Sequence, residues 1–195
     1  MDAVILAGGE NTRMPFLKGF LEFGGRKIIT SNVALLRGIF RRTFIVTNDP
    51  ARYFSLDAHL VGDVTKGKGP LGGILSALTL PDVSEVFVTA CDMPFINVIL
   101  IQYMTSKWDG KGDVLIPLYK GRSQPLFGIY SKKTVKIIEE YITSGRRSVR
   151  EFLQNIQATY ISQEEVMTID PEGRSFVNIN TMEDSTREGG RVCLG

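Results

Sequence analysis

The sequence predicts an α/β fold: a three-layer α/β/α arrangement around a mostly parallel, Rossmann-like sheet. Three observations carry this. Short β-branched runs alternate with longer segments of helical spacing. Two of the runs, 2–6 and 86–90, are apolar almost throughout, as in strands covered on both faces. Glycine, proline and aspartate cluster where the runs stop, at Gly8-Gly9, Asn48-Asp49-Pro50 and Asp92-Met93-Pro94.

Taken in order, residues 2–6 read as a first, buried strand ending in a glycine turn. Ile28, Ile29, Val33, Leu36 and Ile39 recur at helical spacing, which predicts a helix over 27–40. Residues 43–47 read as a strand, and 59–61 as a short third strand ending at Gly62-Asp63. A second glycine loop, 66–73, feeds a helix predicted over 71–80. The run 86–90 reads as a central strand, stopped by a proline that cannot continue a ladder. A helix over 98–106 follows. Strands at 114–118 and 125–130 are joined by the hairpin-like 119–122. A helix over 132–143 ends at Ser144-Gly145, a C-cap pair. Residues 148–155 read as another helix, and 159–161 and 176–179 as strands closing the sheet. The whole reads as one domain over 1–186, with 187–195 a flexible tail.

Composition narrows the function. The chain has 195 residues, 43% hydrophobic and 23% charged, enough for one well-filled core. A formal charge of +2 and the lack of a dense basic block mark no nucleic-acid surface. Cys91 and Cys193 are too far apart for a zinc spacing or a disulfide framework. The first residues form no secretory signal, and no apolar run approaches the roughly 20 residues that span a bilayer. No membrane partner is expected, and the expected address is the cytoplasm.

Ligands of such sheets collect at the carboxyl ends of the strands, near the topological switch point. Just past the first expected strand lie Gly8 and Gly9, with Arg13 and Lys18 within one loop. Asn48 follows the second, Asp63 the third and Asp92 the fourth. Glycine turns leave main-chain N–H groups open to a ligand, cations attract phosphate oxygens, and Mg²⁺ favours a hard carboxylate. The set suits a nucleoside triphosphate with magnesium, whose chemistry needs positioning and charge neutralisation more than covalent catalysis. His59 is the single histidine and reads as structural. The bland readings stand beside these: a tight turn at Gly8-Gly9, solvated surface charges at Arg13 and Lys18, and a helix cap at Asp92. The P-loop pattern GxxxxGK[ST] is absent. Residues 67–72 match GxGxxG, with Asp92 about 20 residues on, which keeps a dinucleotide oxidoreductase as an alternative.

Leu6-Ala7-Gly8-Gly9 with Arg13-Met14 and Lys18 resembles the LAGGxSxRMGxDK signature of nucleotidyltransferases with a GT-A-like fold. Gly69-Pro70-Leu71-Gly72-Gly73-Ile74 resembles their GPLxGI loop, and Cys91-Asp92-Met93-Pro94-Phe95 their CDxPF metal motif. Asn178-Ile179-Asn180-Thr181-Met182-Glu183-Asp184 is similar to the NxNTPED of the molybdenum cofactor guanylyltransferase branch, as are Gln124-Pro125-Leu126 and 145–149. The chain departs from the signatures at Asn11 (for Ser), Pro15 (for Gly), Leu17 (for an acid) and Met182 (for Pro), and Asn48 is one place from the family's asparagine. The resemblance implies that Leu6, Ala7 and Gly8, with Gly9 in the same turn, contact the nucleotide, and that Lys18 and Arg13 hold its phosphates. It places Asp63 and residues Gly69, Pro70, Leu71, Gly72 and Gly73 on the nucleotide, the last five around guanine. It gives Asp92 the Mg²⁺, and Asn178, Asn180 and Arg147 the acceptor. The implied reaction joins GTP to molybdenum-molybdopterin with loss of pyrophosphate, and implies partner enzymes that supply that acceptor and receive the product. A relative using CTP or another phosphate acceptor, or one that binds nucleotide without turnover, remains open on the residues alone.

Overall fold

A computed structural model describes residues 1–8, 18–65 and 67–189. Ten strands and seven helices are found among them: β1 (Asp2–Leu6), β2 (Glu22–Phe23), β3 (Arg26–Lys27), α1 (Ile28–Arg37), β4 (Thr43–Thr47), β5 (His59–Gly62), α2 (Pro70–Leu78), β6 (Glu85–Ala90), α3 (Val98–Lys107), β7 (Val114–Tyr119), β8 (Arg122–Ser123), β9 (Phe127–Ser131), α4 (Val135–Thr143), α5 (Val149–Phe152), β10 (Ala158–Ile161), α6 (Gln163–Ile169) and α7 (Met182–Arg187).

The main sheet runs β10-β7-β9-β6-β1-β4-β5, with β8 paired to β7. β1 pairs in parallel with both β4 and β6, β4 with β5, and β10 with β7. β9 is antiparallel to β6 and β7, so its amino end lies on the edge where the parallel strands finish. The chain leaves β1 toward β4 and β5, then returns to place β6 on the other side of β1. That reversal puts the switch point between the carboxyl ends of β1 and β6.

Both faces of the sheet are covered, which explains its uninterrupted apolar strands. Alternate residues of β1 divide between the layers. Ala3 and Ile5 pack with Ile29, Val33 and Leu36 of α1 and with Leu100, Ile101 and Met104 of α3. Val4 and Leu6 pack with Leu71, Ile74 and Leu75 of α2 and with Ile138 and Ile142 of α4. The expected three-layer, mostly parallel fold is therefore present.

Some expectations change. Residues 176–179 form no strand. Phe176 ends a short 3-10 turn, Arg174–Phe176, and the Ile179 N–H donates to the Asp92 carbonyl at 2.9 Å instead of to a ladder. The helices expected over 27–40 and 148–155 are shorter, Ile28–Arg37 and Val149–Phe152, the second followed by a 3-10 turn. α7 continues through Arg187, with Glu188 3.7 Å from Arg174, so the expected boundary at 186 falls inside a helix. Residues 190–195 of the expected tail lie outside the described residues. Among the described residues, no helix is long and apolar enough to cross a membrane.

Candidate active site

At the switch point the loop after β6 is tied down by the main chain on either side of Asp92. The Cys91 N–H donates to the Leu6 carbonyl at 3.1 Å, joining the ends of β6 and β1. The Asp92 carbonyl accepts from Ile179, and the Met93 carbonyl from the buried Asn32 side-chain amide at 3.0 Å. Asp92 does not cap the following helix. Asn97 does so, its side-chain oxygen accepting from the Ile99 and Leu100 N–H groups. The Asp92 carboxylate is left for the cleft.

Lys18 meets it there. A 3-10 turn, Lys18–Phe20, packs on this loop through Gly19, where a Cβ would stand 3.2 Å from the Cys91 carbonyl oxygen. A side chain there would force the Cys91 carbonyl to give by a few tenths of an ångström, so glycine suits this close approach. Lys18 Nζ donates to Asp92 Oδ2 at 3.3 Å and to Asn180 Oδ1 at 2.6 Å. The two charged side chains are 23% and 15% exposed, so they are poorly screened yet reachable. Burial raises the Asp92 carboxyl above the ordinary range, and the ammonium of Lys18 partly offsets this. A cation placed against Asp92 would be stabilised by a partly desolvated anion. Burial also pushes the Cys91 thiol up to about 12, with the charge of Asp92 adding to the effect, so Cys91 is a neutral wall.

These groups open on a cleft of about 870 Å³ along the carboxyl edge of the sheet. Of the residues expected at the site, Leu6, Ala7, Gly8, Lys18, Asp63, Gly69, Pro70, Gly73, Asp92 and Arg147 line it. Leu71 and Gly72 do not. Leu71 is fully buried in the core. A Cβ on Gly72 would meet Thr65 Oγ1, so that glycine seats the first turn of α2 against the 63–65 loop. The same loop is held by Asp63, whose Oδ1 accepts from the Thr65 N–H at 2.9 Å. Asn178 is exposed and is not among the residues that line the cleft, and Asn180, expected on the acceptor side, accepts a hydrogen bond from Lys18 of the Lys18–Asp92 pair. Gly9 and Arg13, with Asn11, Pro15 and Leu17, lie outside the described residues.

Several lining residues were not expected at the site: Asp49 and Arg52, paired with each other, Tyr53, and Leu126, which the resemblance named in a motif but gave no role. Asp49 follows β4 as Asn48 does, so the strand-end rule that found Asn48 also reaches it. Leu126 precedes the antiparallel β9, and only knowledge of that strand's direction puts it on this edge. His59 packs its ring 5.4 Å from that of Phe44, in keeping with its structural reading.

One half-buried carboxylate at the switch point is a poor cage for Ca²⁺ or Zn²⁺, and no group of three or more metal-ligating side chains occurs among the described residues. It does fit Mg²⁺, which binds one or two carboxylates and takes its other oxygens from phosphates and water. A cation, a carboxylate, exposed main-chain groups after β1 and the N-terminus of α2, with Pro70 in its first turn, share one cleft. That combination suits a polyphosphate ester.

Comparison with known proteins agrees. Residues 3–162 match the family described as MobA-like NTP transferase domain. A probable molybdenum cofactor guanylyltransferase of Peptoclostridium acidaminophilum is 38% identical, the alignment covering 93% of this chain and 85% of that protein. The molybdenum cofactor guanylyltransferase of Syntrophotalea carbinolica is 34% identical, over 93% of this chain and 87% of that protein. Among solved structures, molybdopterin-guanine dinucleotide biosynthesis protein A from Archaeoglobus fulgidus superposes with a TM-score of 0.81 at 27% identity, over 96% of each chain. The 4-diphosphocytidyl-2C-methyl-D-erythritol synthase of Anaerococcus prevotii, 18% identical over 96% of this chain and 93% of that one, shares the fold with a TM-score of 0.69. With a family match over most of its length and relatives at this identity, the chain belongs to the MobA-like NTP transferases.

Proposed function

We propose that this protein is a guanylyltransferase that moves GMP from GTP to the terminal phosphate of molybdenum-molybdopterin. The single observation that carries the reading is the Lys18–Asp92–Asn180 cluster at the switch point, within a cleft long enough for a nucleotide. The names of the curated relatives support guanine and the pterin acceptor.

In this reading the acceptor phosphate attacks the α-phosphorus of GTP in line. A new P–O bond forms, the bond to the β-phosphate breaks, and pyrophosphate leaves with the electron pair. The nucleophile is already an anion, so no general base is required, in keeping with the lack of a catalytic histidine. Lys18 neutralises charge on the transferring and leaving phosphates, a role the family resemblance extends to Arg13. Asp92 would hold Mg²⁺, which supplies further charge neutralisation when bound. Leu6, Ala7, Gly8 and Gly9 offer main-chain groups to the nucleotide, and Asp63 with residues 69–73 shapes its base end. Arg147, Asn178 and Asn180 face the acceptor. The pterin-supplying and product-receiving enzymes are the partners this chemistry needs, and the cytoplasm is its setting.

The test is Mg²⁺-dependent pyrophosphate release with each of the four nucleoside triphosphates, with and without molybdopterin. We expect release with GTP only when the acceptor is present, and a guanine dinucleotide product. A preference for CTP, or turnover without Mg²⁺, would sink the reading.

A further inference from the structure

The geometry points to a residue that never touches the cleft. Asn180 Oδ1 accepts from Lys18 Nζ at 2.6 Å, closer than Asp92 at 3.3 Å. The Asn180 main-chain N–H donates to Asp184 Oδ2 at 3.1 Å, and the Thr181 N–H donates to the same oxygen at 3.0 Å. Asp184 Oδ1 accepts from Arg187 at 2.8 Å, and Thr181 Oγ1 accepts from the Asp184 N–H at 3.1 Å. On the other side, Ile179 is bonded to the main chain of Asp92. Residues 179–181 are thus pinned between the candidate metal ligand and the first turn of α7.

A capping box requires only that the N3 carboxylate take the N-cap N–H, here that of Thr181. The second bond, to Asn180, does nothing for the helix. It fixes the main chain of the residue whose side chain holds Lys18. An ammonium has three donors; among the described residues Asn180 and Asp92 take two, which leaves a third for a phosphate oxygen. We infer that Asp184 is a positioning residue for Lys18, acting through Asn180. This rests on the proposed guanylyltransferase reading and extends its nucleotide site to a residue 166 positions along the chain from Lys18, 162 to Asn180 and four more to Asp184.

Affinity for Mg–GTP by titration calorimetry, together with kcat, tests this in five proteins: wild type, Asp184→Ala, Thr181→Ala, Lys18→Ala and the Asp184→Ala/Lys18→Ala double variant. Thr181→Ala removes the capping hydroxyl but leaves the Asn180 bond. We expect Asp184→Ala to weaken Mg–GTP binding about five- to twentyfold and lower kcat at least about tenfold, on the scale of a lost charge-assisted hydrogen bond. Thr181→Ala should change either by less than about twofold, and Asp184→Ala should add almost nothing to Lys18→Ala, since coupled residues are non-additive. Equal losses in the two single α7 variants, or an Asp184→Ala effect undiminished without Lys18, would overturn the inference. Should circular dichroism show that Asp184→Ala unfolds, Asp184→Glu carries the test. It keeps a capping carboxylate but displaces it, and full affinity in that variant would overturn the inference too. A wild-type chain that binds no Mg–GTP would instead overturn the functional reading itself.

Discussion

At the residue scale, the site depends on side chains that are absent as much as on those present. Gly73 lines the cleft in the first turn of α2, and a Cβ there would stand 2.8 Å from Leu6 Cδ2 and 3.5 Å from Val46 Cγ1. Leu6 is both a core residue and a wall of the cleft. A Cβ at position 73 would have to displace either the end of the Leu6 side chain or the helix itself. Gly73→Ala should therefore push Leu6 toward the cleft or lift α2 off the sheet, costing about 1–3 kcal/mol of stability, the scale of overpacking. Denaturant unfolding measures the first effect and GTP affinity the second, and both should fall. An unchanged unfolding midpoint with unchanged GTP affinity would show that the helix yields without cost.

At the element scale, the opposite edge of the sheet is held by a clamp unrelated to the cleft. Asp2, the first residue of β1, is 1% exposed and receives paired hydrogen bonds from Arg41 and Arg42, which precede β4. Burial alone would raise its carboxyl, but the bonds and charges of Arg42 and Arg41 outweigh that and hold it at about 2. A carboxyl whose pKa is depressed by folding stabilises the protein above its unfolded value, near 4, and that stabilisation is lost as pH falls toward 2. At 1.36 kcal/mol per unit the clamp contributes about 2 kcal/mol at neutral pH. Asp2→Asn should be less stable than wild type by about that much at pH 7, and the difference should shrink steadily between pH 4 and pH 2. A difference independent of pH would mean that packing, not charge, holds this edge. The sequence made most elements legible because the strands β1, β4 and β6 are apolar on both faces and end in glycine, aspartate or proline. It did not reveal β2 and β3, whose two residues each are too few for a period to appear. It also hid α6, where Val166 alone is buried, although Ser162 and Glu165 spell a capping box. Phe176-Val177-Asn178-Ile179 reads like a strand because three of its four residues are apolar and two of those are β-branched; the Ile179 N–H instead bonds the Asp92 carbonyl, outside the sheet. Asp63, Asp92 and Lys18 were legible because strand ends mark the functional edge. The Lys18–Asn180 contact was not, since it joins residues 162 apart and no spacing rule reaches across that distance.

At the scale of the whole molecule, the cleft is closed by groups from both helical layers. The segment carrying Asn180 packs through Ile179 on Leu21 and Ile28, at the start of α1. Arg147 arrives from the turn between α4 and α5, in the layer of α2. Along the sheet, Asp63 follows β5 and Asp92 follows β6, three strand spacings apart, or about 14 Å at 4.8 Å each. That span suits an extended nucleotide, with its base toward β5 and its phosphates at the switch point. Leu126, ahead of β9, continues the cleft past β6, which leaves room for a second substrate there. Under the proposed function two cations of the cleft would divide the work, Lys18 on the nucleotide phosphates and Arg147 on the phosphate of the acceptor. Among the described residues Arg147 makes no ion pair, so its charge is available to a ligand. A hydrogen bond to a charged group is worth about 1.5–3 kcal/mol, or roughly ten- to a hundredfold in affinity. Arg147→Ala should raise the KM for molybdopterin by that factor and leave the Kd for Mg–GTP within about twofold. Steady-state kinetics with varied acceptor, set beside GTP calorimetry, separates the two ends of the cleft. A parallel loss of GTP affinity would place Arg147 on the nucleotide, and the acceptor would then have to approach from the side of Asn178 alone.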